Sequence, residues 1–181
     1  MHLNINMPHL SKGSGNQRYN AIRKPAIRNQ MQLTQYTDYS LRVLIYLSLK
    51  KPGELGTITQ ISEFYGISRN HLVKVVHNLA IHGFIHTIRG KHGGMHLARL
   101  PSEISIGEVV RLTEPNFDIA ECFNKDTNSC VITPVCSLKS ILSEARNSFL
   151  KELDRYTIAD AVAKKNTLTK NIQLQLTPDK R

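Results

Sequence analysis

The chain has 181 residues, 40% of them hydrophobic, enough for one domain with an appendage or for two small domains. No apolar run approaches the ~18 residues of a membrane-spanning helix, and no apolar segment follows the basic N-terminus as a secretory signal requires, so the cytoplasm is the default expectation and no membrane partner is expected. The formal net charge of +10 is uneven: residues 1–30 carry five cations and no acid, residues 31–100 carry eight against three, and residues 101–181 carry eleven of each, which points the first hundred residues at a polyanion.

Residues 1–30 are rich in Gly, Ser, Asn, Pro and basic side chains without apolar periodicity, so a disordered basic tail is expected, with Met31 an alternative start. Thr37 is expected to cap a helix from Asp38 to about Leu49, with Leu41, Leu44, Ile45 and Leu49 on its apolar stripe. Lys50-Lys51-Pro52-Gly53 ends it. Thr57 and Gln60 form a capping-box pattern before a short helix that turns Ile58, Ile61 and Phe64 inward and stops at Gly66. Ser68 then caps a helix from Arg69 to His82 whose apolar face is Leu72, Val75, Val76 and Leu79.

Two short helices joined by a tight glycine-containing turn make a helix-turn-helix pattern. Two β-compatible runs follow, Phe84–Ile88 and Met95–Ala98, joined by Arg89-Gly90-Lys91-His92-Gly93-Gly94, which predicts a hairpin with a basic tip. The fold class is therefore mainly α with a small β wing: a winged helix-turn-helix over residues 31–100. Its outward residues would be Arg69, Asn70, His71 and Lys74 on the helix and Arg89, Lys91, His92 and Gly93 on the wing, suited to base edges and phosphates of double-stranded DNA. Six of the eight histidines fall within residues 71–96, where DNA contact or solvent exposure is favoured over a metal site.

Pro101 marks the next boundary, and residues 101–136 read as a connecting helix plus a loop. Ser105 and Glu108 form a second capping-box pattern before Ile106–Leu112. Pro134 suits the first turn of a long helix, on which Leu138, Ile141, Leu142, Ala145, Phe149 and Leu153 form a stripe with a near-3.5 repeat that continues to Tyr156. Pairing with the same helix of a second chain, giving a homodimer, is the favoured use of that stripe. Thr157 would cap a last short helix, so residues 137–165 hold the dimerisation elements, and residues 166–181 read as a polar flexible tail.

All three cysteines lie within residues 122–136, spaced C-x7-C-x5-C. Their odd number argues against an internal disulfide framework, and the spacing lacks the C-x2-C pair of a zinc ribbon. Loop thiols just before a helix start are placed where anionic sulfur is stabilised, and soft thiolates select iron–sulfur clusters, zinc or copper(I). Three thiolates leave a four-ligand centre one short. A thiol-oxidation switch, a zinc-stabilised interaction module and a cysteine-dependent enzyme stay open on spacing alone. The enzyme is disfavoured because no histidine lies near the cysteines in sequence.

Several segments together resemble the NsrR family of nitric-oxide-sensitive repressors, a winged-helix family related to the iron–sulfur regulator IscR. They are Tyr36-Thr37-Asp38-Tyr39-Ser40-Leu41-Arg42, Tyr65-Gly66-Ile67-Ser68-Arg69-Asn70-His71-Leu72-Val73-Lys74, the wing tip Arg89–Gly94, Cys130-Val131-Ile132-Thr133-Pro134-Val135-Cys136, and Phe149–Asp154, within about residues 31–165. The resemblance implies a homodimeric transcription repressor, not an enzyme. Cys122, Cys130 and Cys136 would hold an iron–sulfur cluster, 4Fe–4S rather than 2Fe–2S, with Asp38 of the partner subunit as fourth ligand. It also implies that Ser68, Asn70, His71, Lys74 and Arg89 face the operator, that nitric oxide is the signal, and that Asp38 can alternatively pair with Arg42, four residues on along the helix. An iron–sulfur or redox-status regulator of the same fold is the alternative.

Overall fold

The computed structural model describes residues 32–163. The tails expected over residues 1–30 and 166–181 lie outside the described residues. Six α-helices and one antiparallel hairpin follow in order: α1 Gln35–Ser48, α2 Ile58–Tyr65, α3 Arg69–Ile81, β1 Ile85–Ile88, β2 Gly94–Leu97, α4 Ile106–Thr113, α5 Ser137–Asp154 and α6 Ile158–Ala161. Among the described residues no helix is long and apolar enough to cross a membrane.

Helix α1 begins three residues before the expected start. Thr34, not Thr37, is the cap: its hydroxyl accepts from the Thr37 amide, and its own amide donates to the Glu114 carboxylate at 2.7 Å. The buried stripe is Thr37, Ser40, Val43, Leu44 and Leu47, while Leu41, Ile45 and Leu49 of the expected stripe are half-buried. Thr57 and Gln60 do close a capping box on α2, and Gly66 ends that helix in the left-handed region at φ +65°, where a side chain would be strained. Ser68 caps α3, whose buried face is Leu72, Val75, Val76 and Leu79 as its periodicity requires.

The three helices close on one core with Phe84, Ile85 and Met95 of the hairpin and Ile104, Val109 and Ile158 of the later chain. Ile85 pairs with Leu97, His86 with His96, Thr87 with Met95 and Ile88 with Gly94. Gly56 makes a one-residue bridge to this wing through reciprocal backbone bonds with Met95 of 2.9 and 2.8 Å. A Cβ on Gly56 would lie 2.6 Å from a terminal methyl of Leu47, so any larger residue would push that side chain aside.

Two expected helix starts differ. Ser105 does precede α4 as expected, but its hydroxyl makes no cap bond and has no partner among the described residues, and Glu108 bonds Arg99 at 3.0 Å instead of closing a box. Pro134 lies in a separate 3-10 turn, Thr133–Val135, and Cys136 is the residue that precedes α5. The turn uses Pro134 as a helix start would, but closes before Cys136, whose extended ψ of 107° interrupts helical continuity.

No residue from Glu114 to Thr157 is buried. This stretch leaves the core at the end of α4, runs through two 3-10 turns, and returns along α5 to the same region. Its return is fixed by Arg111, which grips both carboxylate oxygens of Asp154, and by the bonds Ile106 N–Tyr156 O and Ile158 N–Ile104 O, each 2.9 Å. Gly107 makes the joint possible, since a Cβ there would lie 2.1 Å from Asp154 Oδ1.

Candidate nucleic-acid interface and cysteine loop

Ser68, Arg69, Asn70, His71 and Lys74 are all exposed on the first turns of α3, opposite its buried stripe. Arg89 and Lys91 are exposed at the wing tip. Among the described residues none of Arg69, Lys74, Arg89 and Lys91 has an ion-pair partner, whereas Arg42, Lys50 and Arg99 are paired with Asp38, Glu54 and Glu108. Positive charge is thus left uncompensated where α3 and the wing meet solvent, the distribution that attracts phosphate. Gly93 is half-buried, and its lack of a side chain serves the turn itself: a Cβ would lie 2.2 Å from the Ile88 carbonyl oxygen. Val73 and His77 also face outward on α3, and neither is among the outward residues expected from the sequence.

The first turn of α1 touches this face of α3. Tyr36 donates its hydroxyl to the Lys74 carbonyl at 3.3 Å, and the rings of Tyr39 and His71 lie 6.0 Å apart. Gln35, Tyr36, Tyr39, His71, Lys74 and Val75 line a shallow recess between the helices. Neither tyrosine was singled out in the sequence, although both lie within the segment that carries the family resemblance.

Asp38 sits between those tyrosines. Arg42 holds its carboxylate at both oxygens, Nε to Oδ1 at 3.0 Å and Nη2 to Oδ2 at 2.9 Å. The same guanidinium lies 5.6 Å from the centre of the Tyr65 ring, a cation–π contact that ties the pair to α2. Burial pushes the Tyr65 phenol up to about 12, so it stays neutral beside them.

The three thiols are free: Cys122 and Cys136 are half-buried and Cys130 is exposed. Among the described residues no three His, Cys, Asp or Glu side chains are gathered into a metal-binding group, so Cys122, Cys130 and Cys136 are not drawn together within the single chain. The donor set still suits a soft-metal centre. It offers three thiols on a loop with no buried residue, so no core packing opposes drawing them together. Around them Val131 is 90% and Val135 83% exposed, apolar surface that a single chain leaves uncovered. On α5, Leu138 and Ile141 are 59% and 60% exposed, Ala145 and Phe149 are exposed, and Leu142 and Leu153 are half-buried. No residue of α5 is fully buried.

The profile of the Rrf2 family, described as iron-dependent transcriptional regulators, matches residues 33–164. The HTH-type transcriptional regulator NsrR of Bacillus subtilis (strain 168) is 52% identical over 145 residues, which cover 80% of this chain and 99% of that protein. Its counterpart from Shouchella clausii is 48% identical over 147 residues, 81% of this chain and 99% of that one. Among solved structures, the oxidised form of CymR from Staphylococcus aureus superposes with a TM-score of 0.59 at 24% identity, covering 72% of this chain and 95% of that one. IscR of T. potens gives 0.60 at 23% identity, covering 75% and 88%.

Proposed function

The chain belongs to the Rrf2 family of transcriptional regulators, and on that premise we propose that it is a homodimeric repressor whose operator binding is released by nitric oxide. It is a DNA-binding regulator rather than an enzyme. The observation that carries the reading is the set of unpaired cations on α3 and the wing, within a fold whose helix α3 and hairpin suit a major groove and the backbone beside it. Ser68, Arg69, Asn70, His71 and Lys74 would make the α3 contacts, and Arg89 and Lys91 the wing contacts. Gly93 shapes the tip rather than contacting DNA.

Cys122, Cys130 and Cys136 would hold an iron–sulfur cluster, 4Fe–4S in preference to 2Fe–2S, with Asp38 of the partner subunit as fourth ligand. When bound, the cluster supplies iron that reacts with nitric oxide. The exposed stripe of α5, from Leu138 to Leu153, would pack on its copy and bring two α3 helices to the spacing of about 34 Å that successive major grooves require.

The chain's own residues supply the coupling. Asp38 has two competing uses, and the pairing with Arg42 shows one of them. Asp38 lies in the same turn as Tyr36 and Tyr39, which touch Lys74 and His71. A change in the grip on Asp38 therefore reaches two groups that face the operator. The loop that carries the cysteines starts at Glu114, whose carboxylate holds the α1 N-terminus. About 2.7 kcal/mol delivered through these contacts changes operator affinity a hundredfold.

The test is an anaerobic titration of cluster-loaded protein with nitric oxide, following cluster absorbance and the anisotropy of a labelled operator duplex selected from random sequence. The two signals should fall together. Full operator affinity after the absorbance has gone would refute the reading.

A further inference from the structure

Two histidines of the wing stand directly across from each other. His86 on β1 is the register partner of His96 on β2, so both side chains project from the same face of the hairpin. Their ring centres are 5.5 Å apart, with the planes inclined by 55°. His86 is exposed and His96 half-buried, and the core has no use for either.

The second observation concerns which nitrogen is free. Nδ1 of His96 lies 2.8 Å from the Leu97 carbonyl oxygen. A carbonyl can only accept, so Nδ1 donates, and in the neutral ring Nε2 keeps the lone pair. A backbone carbonyl holding the other ring N–H is the arrangement that orients metal-bound imidazoles. The spacing agrees: two imidazoles sharing one tetrahedral zinc through Nε2, with bonds of about 2.0–2.1 Å, have ring centres about 5.3 Å apart.

We propose that His86 and His96 form a two-imidazole site for a divalent transition-metal cation, such as zinc, on the outer face of the wing. No third His, Cys, Asp or Glu completes the group among the described residues, so water fills the remaining positions and the site is open. Bound there, the cation ties β1 to β2 and adds positive charge to a hairpin whose tip already presents Arg89 and Lys91.

The experiment uses the full chain with its three thiols alkylated, which removes the cysteines as competing ligands. Zinc is titrated calorimetrically into the wild type and into His86→Gln, His96→Gln and His92→Gln. The wild type and the His92→Gln protein should each bind one zinc more per chain than the other two, or bind it about tenfold more tightly. In ring-nitrogen NMR of the unsubstituted protein, the Nε2 signals of His86 and His96 should move on zinc addition, a readout independent of whether any variant folds. Unmoved Nε2 signals, or equal zinc uptake by all four proteins, overturns the site. Loss of the extra zinc in His92→Gln as well would overturn its two-imidazole form.

Discussion

Replacing Arg89 and Lys91 together by alanine removes two of the four unpaired cations that α3 and the wing present on each chain. If all four touch phosphates and two chains bind one operator, eight charges are engaged, and log K should fall with log salt at a slope of about −7, from roughly −0.9 per contact. Between 50 and 200 mM salt that is a loss of about 10⁴-fold. The double variant retains four contacts, its slope should be about −3.6, and the same salt range should cost only about 10²-fold. Fluorescence anisotropy on one operator duplex at five or six salt concentrations measures both slopes. Selectivity for the operator over random DNA should survive better than affinity, because phosphate contacts position the protein without reading sequence. A variant slope equal to that of the wild type would show that the wing tip does not meet the backbone, and would refute the placement of these side chains.

Leu72 is fully buried beneath the exposed side of α3, so Leu72→Ala should lower unfolding free energy by about 2–5 kcal/mol in urea titrations. Gly107→Val forces a side chain into Asp154 and its backbone nitrogen, and should cost about 1–3 kcal/mol and lower Tm, with the loss traced by hydrogen exchange to the α4–α5 joint. The Arg111 guanidinium holds the Asp154 carboxyl below its ordinary value, so the pair contributes stability above the unfolded aspartate range and loses it as pH falls through the lower folded value. Asp154→Asn should therefore be less stable than the wild type at neutral pH. The gap should close in strongly acidic buffer, as thermal melts at both pH values would show.

What could be read from the sequence was whatever depends on near neighbours along the chain. The stripe Leu72, Val75, Val76 and Leu79 repeats at the helical period, and a side chain at that spacing has one face to bury. Thr57 and Gln60 close their box within a single turn. The errors come from partners far away in sequence. Thr37 resembles a cap as well as Thr34 does, and what adds to Thr34 is a carboxylate eighty positions on, at Glu114. Ser105 and Glu108 fit the capping-box pattern, yet Arg99, nine positions back, takes the Glu108 carboxylate. Gly56 gave no sign of joining the wing, because its partner Met95 lies 39 positions on. Of the candidate site, exposure at α3 and the wing followed from which face was apolar. The contacts of Tyr36 and Tyr39 with α3 depend on how two helices cross, which spacing along one of them does not specify.

Since the segment from Glu114 to Thr157 departs from and rejoins the body at adjoining points, without lending it a single buried side chain, changes of length within it need not propagate inward. A residue gained or lost between Cys122 and Cys130 alters only the excursion, and the DNA-reading body can keep its packing. Variation in length is thereby confined to one appendage, as an interchangeable head is on a fixed handle.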